Sequence, residues 1–436
     1  MQACSKRGKP SCTALFCAAL VCVVLTVLVL PAGARVYTLE ECVGIALTEN
    51  TTLARAREDL MGADADVMSG WSGVLPHVYA GATASDNLLV TEGAEVKSSG
   101  LTGDISLSQT LVNGSTFARI AGAHRSRTAA ELSLEFTRRE IVFQTKQAYY
   151  GLLRAVQLRD VQDEAVELAL EQLRKTQSLF DLGSASKSDL LKAQVQVGQA
   201  ELAFIAVDKA AEIAQAGLAL TLGIDVTTEI EAVDPPEDDL EEEITDFDIE
   251  AAISSRPDIK AWEESVVAAG RSLLASKAGR WPELNLAMSY SRRVGSQSLG
   301  DLFEDASDNY TRSTSVSLSL PIFNGLATKA SIDGSRSLLR SYEISLRNAR
   351  LTAAYEIESA RLSAEEGRRS VEVAGQSVLQ ADEDLRVSEE RFRLRAASML
   401  ELIDARIAYS RARAELVDAR FNYEIAKAEL KLALGL

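Results

Sequence analysis

The stretch "FRLRAASMLELIDAR", residues 392–406, is the most informative about the fold of this chain. A stretch of the same form occurs 212 positions earlier. The earlier stretch is "FDLGSASKSDLLKAQ", residues 180–194, and six of the fifteen positions are identical. Each stretch interrupts a long run of apolar residues at helical spacing. The sequence therefore predicts two long helices that are broken at the same place.

Apolar residues recur at steps of three and four on both sides of these interruptions. After the second interruption they are Leu402, Ala405, Tyr409, Ala412, Leu416, Ala419, Tyr423, Ala426, Leu430 and Ala433. A heptad pattern of this kind is typical of left-handed coiled coils, and the alternating alanines permit close approach of the helices. At a rise of 1.5 Å per residue, the helix before each break would be about 100 Å long.

The rest of the chain repeats at nearly the same offset. The segment "LTENTTLARA" at 47–56 corresponds to "ISSRPDIKAW" at 253–262, and "SQTLVNG" at 108–114 corresponds to "SLPIFNG" at 319–325. We interpret this as two tandem repeats, each with a helix, two strands, a long helix, a break and a second helix.

Composition divides the chain further. Lys6, Arg7 and Lys9 precede the apolar run of residues 13–30, which indicates a signal peptide; an uncleaved membrane anchor is the alternative. Residues 225–250 carry thirteen acids and no base, so they read as a solvated linker and account for most of the net charge of −17. The predicted divisions are a signal peptide at 1–34, a first repeat at 35–224, an acidic interrepeat linker in the equatorial region at 225–250, and a second repeat at 251–436.

The strands alternate between apolar and small polar residues. In "STSVSLSLPI", residues 313–322, Val316, Leu318 and Leu320 alternate with serines. Strands of about ten residues with this pattern suit a transmembrane β-barrel, although a half-buried soluble sheet has the same pattern. Four strands cannot close a barrel, and an open edge in lipid is very costly, whereas three chains would supply twelve strands. For Trp281, a place at the lipid interface and simple core packing both remain open.

The twofold repeat, "SRPDI" at the start of a helix, "LPIFNG" at the end of a strand and "LIDAR" after a helix break together resemble the TolC-like outer-membrane efflux protein family. The resemblance implies a mainly helical fold with a membrane β-barrel portion: long coiled-coil hairpins, four transmembrane strands per chain and a homotrimeric channel. It implies an exit duct in the outer membrane that extends into the periplasm and works with a periplasmic adaptor protein and an inner-membrane transporter. The alternative is a long coiled-coil structural or adhesion protein of the cell envelope.

Two groups of site residues follow from the resemblance and from the charges at the breaks. The periplasmic gate is expected at Glu401 and Asp404, which correspond to the paired aspartates of the family. The adaptor is expected to contact the tips at Leu182, Gly183, Ser184, Leu394, Arg395 and Ala396. Arg395 stands where the family usually has the glycine that Gly183 provides in the first repeat.

The acids after the breaks also have a purely structural interpretation. Ser398 with Glu401, and Ser186 with Asp189, match the capping box of a helix N-terminus. The first repeat follows its acid with Lys192, whereas the second follows Glu401 with Asp404, so two like charges share one helix face. Such a pair is more easily tolerated where the face lines water, which favours the gate interpretation.

No catalytic constellation or cofactor motif emerges from the sequence, so we expect neither an enzyme nor a bound cofactor. His77 and His124 are the two histidines of the chain, and neither stands at metal-ligand spacing from a cysteine or carboxylate. The acidic charge balance argues against binding to nucleic acid.

Overall fold

The computed structural model describes residues 35–91, 94–234, 247–294, 310–394 and 396–436. The predicted signal peptide, most of the acidic linker and Arg395 lie outside the described residues. In the first half, the elements are β1 (Arg35–Tyr37), α1 (Leu39–Glu49), α2 (Thr51–Ser72), β2 (His77–Thr91), β3 (Ala94–Val112), α3 (Gly114–Asp181), α4 (Lys187–Leu222) and β4 (Ile230–Ala232). In the second half, they are α5 (Ile249–Ser255), α6 (Pro257–Ala278), β5 (Glu283–Val294), β6 (Tyr310–Ser319), α7 (Ala327–Arg393) and α8 (Met399–Ala433).

Two helical hairpins dominate the molecule. Helices α3 and α4 pack on each other, as do α7 and α8, and α8 also packs on α3, so the hairpins lie side by side. The long helices have 68 and 67 residues, about 100 Å each. The predicted seam is buried at Ala193, Val197, Ala200, Leu402, Ala405, Ala412, Ala426, Leu430 and Ala433. The mainly helical fold is therefore confirmed.

The four long strands form one antiparallel sheet in the order β2-β3-β5-β6. Strands β2 and β5 begin immediately after Pro76 and Pro282, because proline ends the preceding helical segment and sets an extended conformation. Strand pairing joins β3 of the first half to β5 of the second, with Ser106 opposite Ser289. The long helices α3 and α7 both leave the sheet from the end that contains Trp281.

The core of the molecule lies at the equator, where the helices of both halves meet. Tyr149 is fully buried there, and its hydroxyl lies 3.0 Å from the carbonyl of Tyr37 and 2.7 Å from that of Val233. Strand β1 pairs in parallel with β4, and Ile230 is buried. Residues 230–232 of the acidic stretch are therefore part of the fold, with Ile230 in the core.

A buried arginine ties the second repeat together at the same level. Arg256 is 4% exposed and forms two hydrogen bonds to Asp258, at 3.0 and 2.8 Å, and an ion pair with Glu356 at 2.8 Å. It also donates to the carbonyl of Ala433, and its guanidinium lies over the ring of Phe136. Burial lowers the pKa of Arg256, but the two carboxylates outweigh burial, so the pKa is raised. Arg256 thus joins the start of α6 to α7, α8 and α3.

Among the described residues, no helix is both long enough and apolar enough to cross a membrane.

Candidate functional site

The first tip is a tight left-handed turn between α3 and α4. Gly183 has φ +70°, and its N–H donates to the carbonyl of Phe180 at 2.8 Å, while the N–H of Ser184 donates to that of Leu179 at 2.7 Å. These two bonds define a Schellman motif, which satisfies the last carbonyls of a helix. Glycine is needed at 183 because of φ, since the space around it is open.

The helix after the first tip begins with the expected capping box. The Ser186 hydroxyl accepts from the N–H of Asp189 at 3.1 Å, and the Asp189 carboxylate accepts from the N–H of Ser186 at 3.3 Å. The capping interpretation of Asp189 is confirmed.

The second tip repeats the closing bond of the first. The N–H of Ala396 donates to the carbonyl of Arg391 at 2.7 Å, which corresponds to the bond from Ser184 to Leu179. Leu394 has φ −80° and ψ 3°, close to the values of −84° and 1° at Leu182. The described residues on both sides of position 395 therefore follow the geometry of the first tip.

The expected capping box at Ser398 and Glu401 is only half formed. The Ser398 hydroxyl accepts from the N–H of Glu401 at 3.2 Å, but the Glu401 carboxylate pairs with Arg391 of the preceding helix. Arg391 also donates to the carbonyl of Ala396 at 3.3 Å. Position 391 corresponds to Leu179 in the first repeat, so only the second tip has this ion pair across the break.

Asp404, the second predicted gate residue, is exposed on α8. Within the part of the chain that the structure describes, no cation forms an ion pair with its carboxylate. Arg391 therefore compensates the charge of Glu401, whereas no described cation compensates the carboxylate of Asp404. The two acids have different surroundings although they lie three residues apart.

Arg406, in the "LIDAR" segment, joins three helices. Its guanidinium donates to the carbonyl of Leu168 on α3 at 3.0 Å and to Glu389 on α7 at 2.9 Å. Its side chain is 14% exposed, and its Nε is buried without a hydrogen-bond partner among the described residues. Arg406 thus fixes the second hairpin against the first just above the tips.

Further ion pairs continue this contact towards the equator. Arg413 pairs with Glu164 of α3, and Arg420 lies 3.6 Å from Asp234. Burial lowers the pKa of Arg413, but the hydrogen bond and charge of Glu164 outweigh burial and raise it. Residues 406, 413 and 420 are seven apart and follow one stripe of α8. The corresponding residues of α4 are Gln194, Glu201 and Asp208.

A groove of about 370 Å³ opens between the two hairpins beside Arg406 and Arg413. It runs between α3, α4 and α8, and its polar walls include Gln162, Gln172, Gln196, Gln199 and Tyr409. Below the groove, Leu182 and Leu394 are 78% and 71% exposed at corresponding positions of the two tips. An apolar pair of tips below a groove with a largely apolar lining and several polar side chains is suited to contact with another protein.

Two hairpins of about 100 Å on one end of a sheet with open edges are the arrangement that the sequence resemblance implied. A sequence model of the family described as "Outer membrane efflux protein" matches residues 43–224 and 249–436. The chain belongs to this family.

Individual relatives agree with the assignment. The chain is 24% identical over 344 residues to the outer membrane efflux protein BepC of Brucella suis, covering 76% of this chain and 72% of BepC. It is 28% identical over 230 residues to CyaE of Bordetella pertussis, covering 52% of this chain but only about half (48%) of CyaE. The fold matches the outer membrane channel CmeC of Campylobacter jejuni with a TM-score of 0.82 at 19% identity, over 91% and 85% of the two chains.

Family membership places the protein in the outer membrane and supports the expected exit duct. The alternative of a structural or adhesive coiled-coil protein is not favoured. The matching structures include the channel MtrE of Neisseria gonorrhoeae in its open state, with a TM-score of 0.76 at 20% identity over 91% and 88% of the two chains.

The described residues that were predicted at each break lie at or next to that break, but the structure also contains contacts that the sequence interpretation missed. The roles of Arg391 and Arg406 were not predicted. For Arg406 a signal exists, namely the arginines at 406, 413 and 420, which are spaced by one heptad. For Arg391 the signal is the difference from Leu179, which a comparison of the two repeats exposes.

Proposed function

We propose that three copies of this chain form the exit duct of a tripartite efflux or type I secretion system. The observation that carries the proposal is the combination of two long hairpins with a sheet whose outer strands, β2 and β6, each have one side that pairs with no other described strand. Pairing of β6 of one copy with β2 of the next would continue the sheet, and three copies would close twelve strands into a ring. The duct is not catalytic; it conducts cargo that its partners deliver.

The helices support the same assembly. Helix α4 carries exposed apolar residues on its side away from α3, among them Leu202 at 71% and Ile213 at 63%. Helix α7 also carries exposed apolar residues, among them Leu351, which is 65% exposed, and Leu379, which is 72% exposed. Rows of exposed apolar side chains on two outer helices mark interaction surfaces. In a ring, α4 of one copy would pack on α7 of the next and bury both rows.

Charged substitutions in these rows should prevent assembly. We expect Leu202→Asp combined with Leu379→Asp to convert the detergent-purified trimer into monomers, because each interface would bury two carboxylates. Leu182→Asp, at a tip leucine of similar exposure, is the matched control and should leave the trimer intact. The measurement is mass by light scattering in mild detergent. A trimeric double variant, or a wild-type chain that is soluble as a monomer without detergent, would contradict the assembly.

We further propose that the tips dock on a periplasmic adaptor, which connects the duct to an inner-membrane transporter. The exposed Leu182 and Leu394 offer apolar contacts, and the groove beside Arg406 offers polar ones. Gly183, Ser184, Arg395 and Ala396 complete the proposed contact surface. Contact between the hairpins through Arg406 and Arg413 would hold the duct narrow until the adaptor binds.

Cysteine crosslinking tests the docking surface. Ser184→Cys and Ala396→Cys should each crosslink to the helical hairpin of the co-expressed adaptor, whereas Glu229→Cys at the equator should not. The native thiol does not interfere, because burial and the Glu41 carboxylate raise the pKa of Cys42 to about 11. The readout is the adaptor adduct on non-reducing gels. Adducts at position 229 but at neither tip would place the adaptor elsewhere.

Finally, we propose that Glu401 and Asp404 form the gate at the periplasmic end of the tunnel. Around a threefold axis they would give two rings of carboxylates, of which the Asp404 ring carries the uncompensated charge. Rings of carboxylates favour cations in other pores.

A further inference from the structure

One face of the sheet is apolar for most of its height and ends in a cluster of tyrosines and arginines. In the β5–β6 pair, Leu284 lies opposite Leu318 and Leu286 opposite Val316. Farther from the helices, Tyr290 lies opposite Arg312 and Arg292 opposite Tyr310 on the same face. The alternate residues, which include Ser289, Ser291, Ser313 and Ser315, are on the other face. In an outer-membrane sheet the apolar face is the one that contacts lipid.

The height of this apolar band matches the thickness of the apolar layer of an outer membrane. Trp281, just before β5, is 53% exposed at the end of the sheet near the helices, and its ring also packs on Gly114. Tyr290 follows nine residues later, a distance of about 30 Å along a strand. With a tilt of about 40°, this is about 23 Å of height, close to the roughly 25 Å between the aromatic girdles of outer-membrane proteins. This spacing places Tyr290 and Tyr310 at the outer surface of the membrane, the surface farther from the helices.

Arg312 is held in this surface by both tyrosines. Its guanidinium carbon lies 4.9 Å from the ring centroid of Tyr310 and 5.8 Å from that of Tyr290, and the two rings are stacked at 5.9 Å. Stacking on a ring engages the flat face of a guanidinium and leaves its N–H edges available. Arg312 is thus fixed in place with its hydrogen-bond donors available.

No described residue neutralises the positive charge of the Arg312 guanidinium. Strands β5 and β6 contain no acid between Leu284 and Ser319 in their described parts, and Asp104 of β3 lies opposite Ser291, on the other face. Among the described residues, no carboxylate pairs with Arg312. A fixed guanidinium at the level of lipid headgroups has a planar set of donors that matches a phosphate group.

We propose that Arg312, clamped by Tyr290 and Tyr310, binds the phosphate of an anionic lipid headgroup at the outer surface of the membrane. The site belongs to the membrane-facing side of the duct and is independent of cargo and of the adaptor. It fixes the position of the barrel along the membrane normal at three points of the assembled trimer, one in each chain.

Lipid retention tests the site. The trimer is reconstituted into vesicles of equal parts phosphatidylglycerol and phosphatidylcholine, extracted again in mild detergent, and analysed for bound lipid by mass spectrometry. We expect phosphatidylglycerol to be enriched about fivefold over phosphatidylcholine, the factor for one arginine at an anionic surface. Arg312→Gln should abolish the enrichment. Arg293→Gln, one residue from Arg292 and on the opposite face, should retain it.

Further variants keep the test decisive. Tyr310→Leu retains the charge but loosens the clamp, and it should reduce the enrichment even if Arg312→Gln fails to assemble. Equal enrichment in wild type, Arg312→Gln and Tyr310→Leu would overturn the proposal. Displacement of the lipid by millimolar inorganic phosphate would also overturn it, since the site would then bind free phosphate. Neither result would affect the proposed duct, which is tested by trimer mass and crosslinking.

Discussion

Replacing Asp404 by asparagine is expected to lower the cation preference of the reconstituted channel about fivefold at 0.1 M salt. Three carboxylates about 7 Å from a passing ion each contribute about 0.6 kcal/mol in water, and screening at this salt removes roughly half. The sum of about 1 kcal/mol corresponds to that factor. A divalent cation would lose about twice the interaction free energy, so block by divalent cations should weaken further. The measurement is reversal potential in planar bilayers under a salt gradient.

A charge-matched control separates the gate charge from the ion pair across the second tip. The double variant Arg391→Gln with Glu401→Gln removes one positive and one negative charge per chain and leaves Asp404 in place. It should retain the cation preference but raise the conductance, because the tip loses its link between α7 and α8. If Asp404→Asn trimers keep the wild-type selectivity, the acidic-gate hypothesis is wrong, and the polar cap at Ser398 is all that remains of the site.

Replacing Arg256 by methionine should destabilise the equator by about 2–3 kcal/mol. Removal of one partner from a buried ion pair typically costs more, but Asp258 and Glu356 are 23% and 46% exposed and can recover some hydration. The variant also loses the hydrogen bond to the carbonyl of Ala433 at the end of α8. We expect the temperature at which helical circular dichroism is lost to fall by several degrees.

Arg350→Met is the matched control for this effect. Arg350 pairs with Glu263 at 2.7 Å, but both side chains are about half exposed, at 50% and 42%. Exposed pairs contribute at most about 1 kcal/mol, so the midpoint should scarcely change. Equal shifts in the two variants would show that the burial of Arg256 has no special importance.

Local features of the sequence were sufficient to predict much of the fold. The heptad steps predicted the coiled coils because every second apolar position is an alanine or another small residue that only a close helix partner would cover. Pro76 and Pro282 stand in the sequence directly before β2 and β5, and Gly183 stands at the turn between α3 and α4. Each of these signals acts within a few residues, so it can be recognised without knowledge of the tertiary contacts.

Contacts between distant parts of the chain could not be predicted in the same way. The stretch "SRPDI" indicated only the start of a helix, whereas the burial of Arg256 depends on α7, α8 and Phe136. The cation that neutralises Glu401 lies ten residues earlier, on another helix, beyond any spacing along α8. The sequence around Ile230 is strongly acidic. Ile230 is nevertheless buried, because it pairs with β1 and lies in the same core as Tyr149.

The parallel pairing of β1 with β4 has a consequence for the timing of folding. Arg35 pairs with Ile230, so the contact closes a loop of 195 residues. Strand β1 can therefore pair with β4 only after the residues between them, which include the whole first hairpin, have reached the same compartment, and until then the three residues of β1 present an unpaired edge.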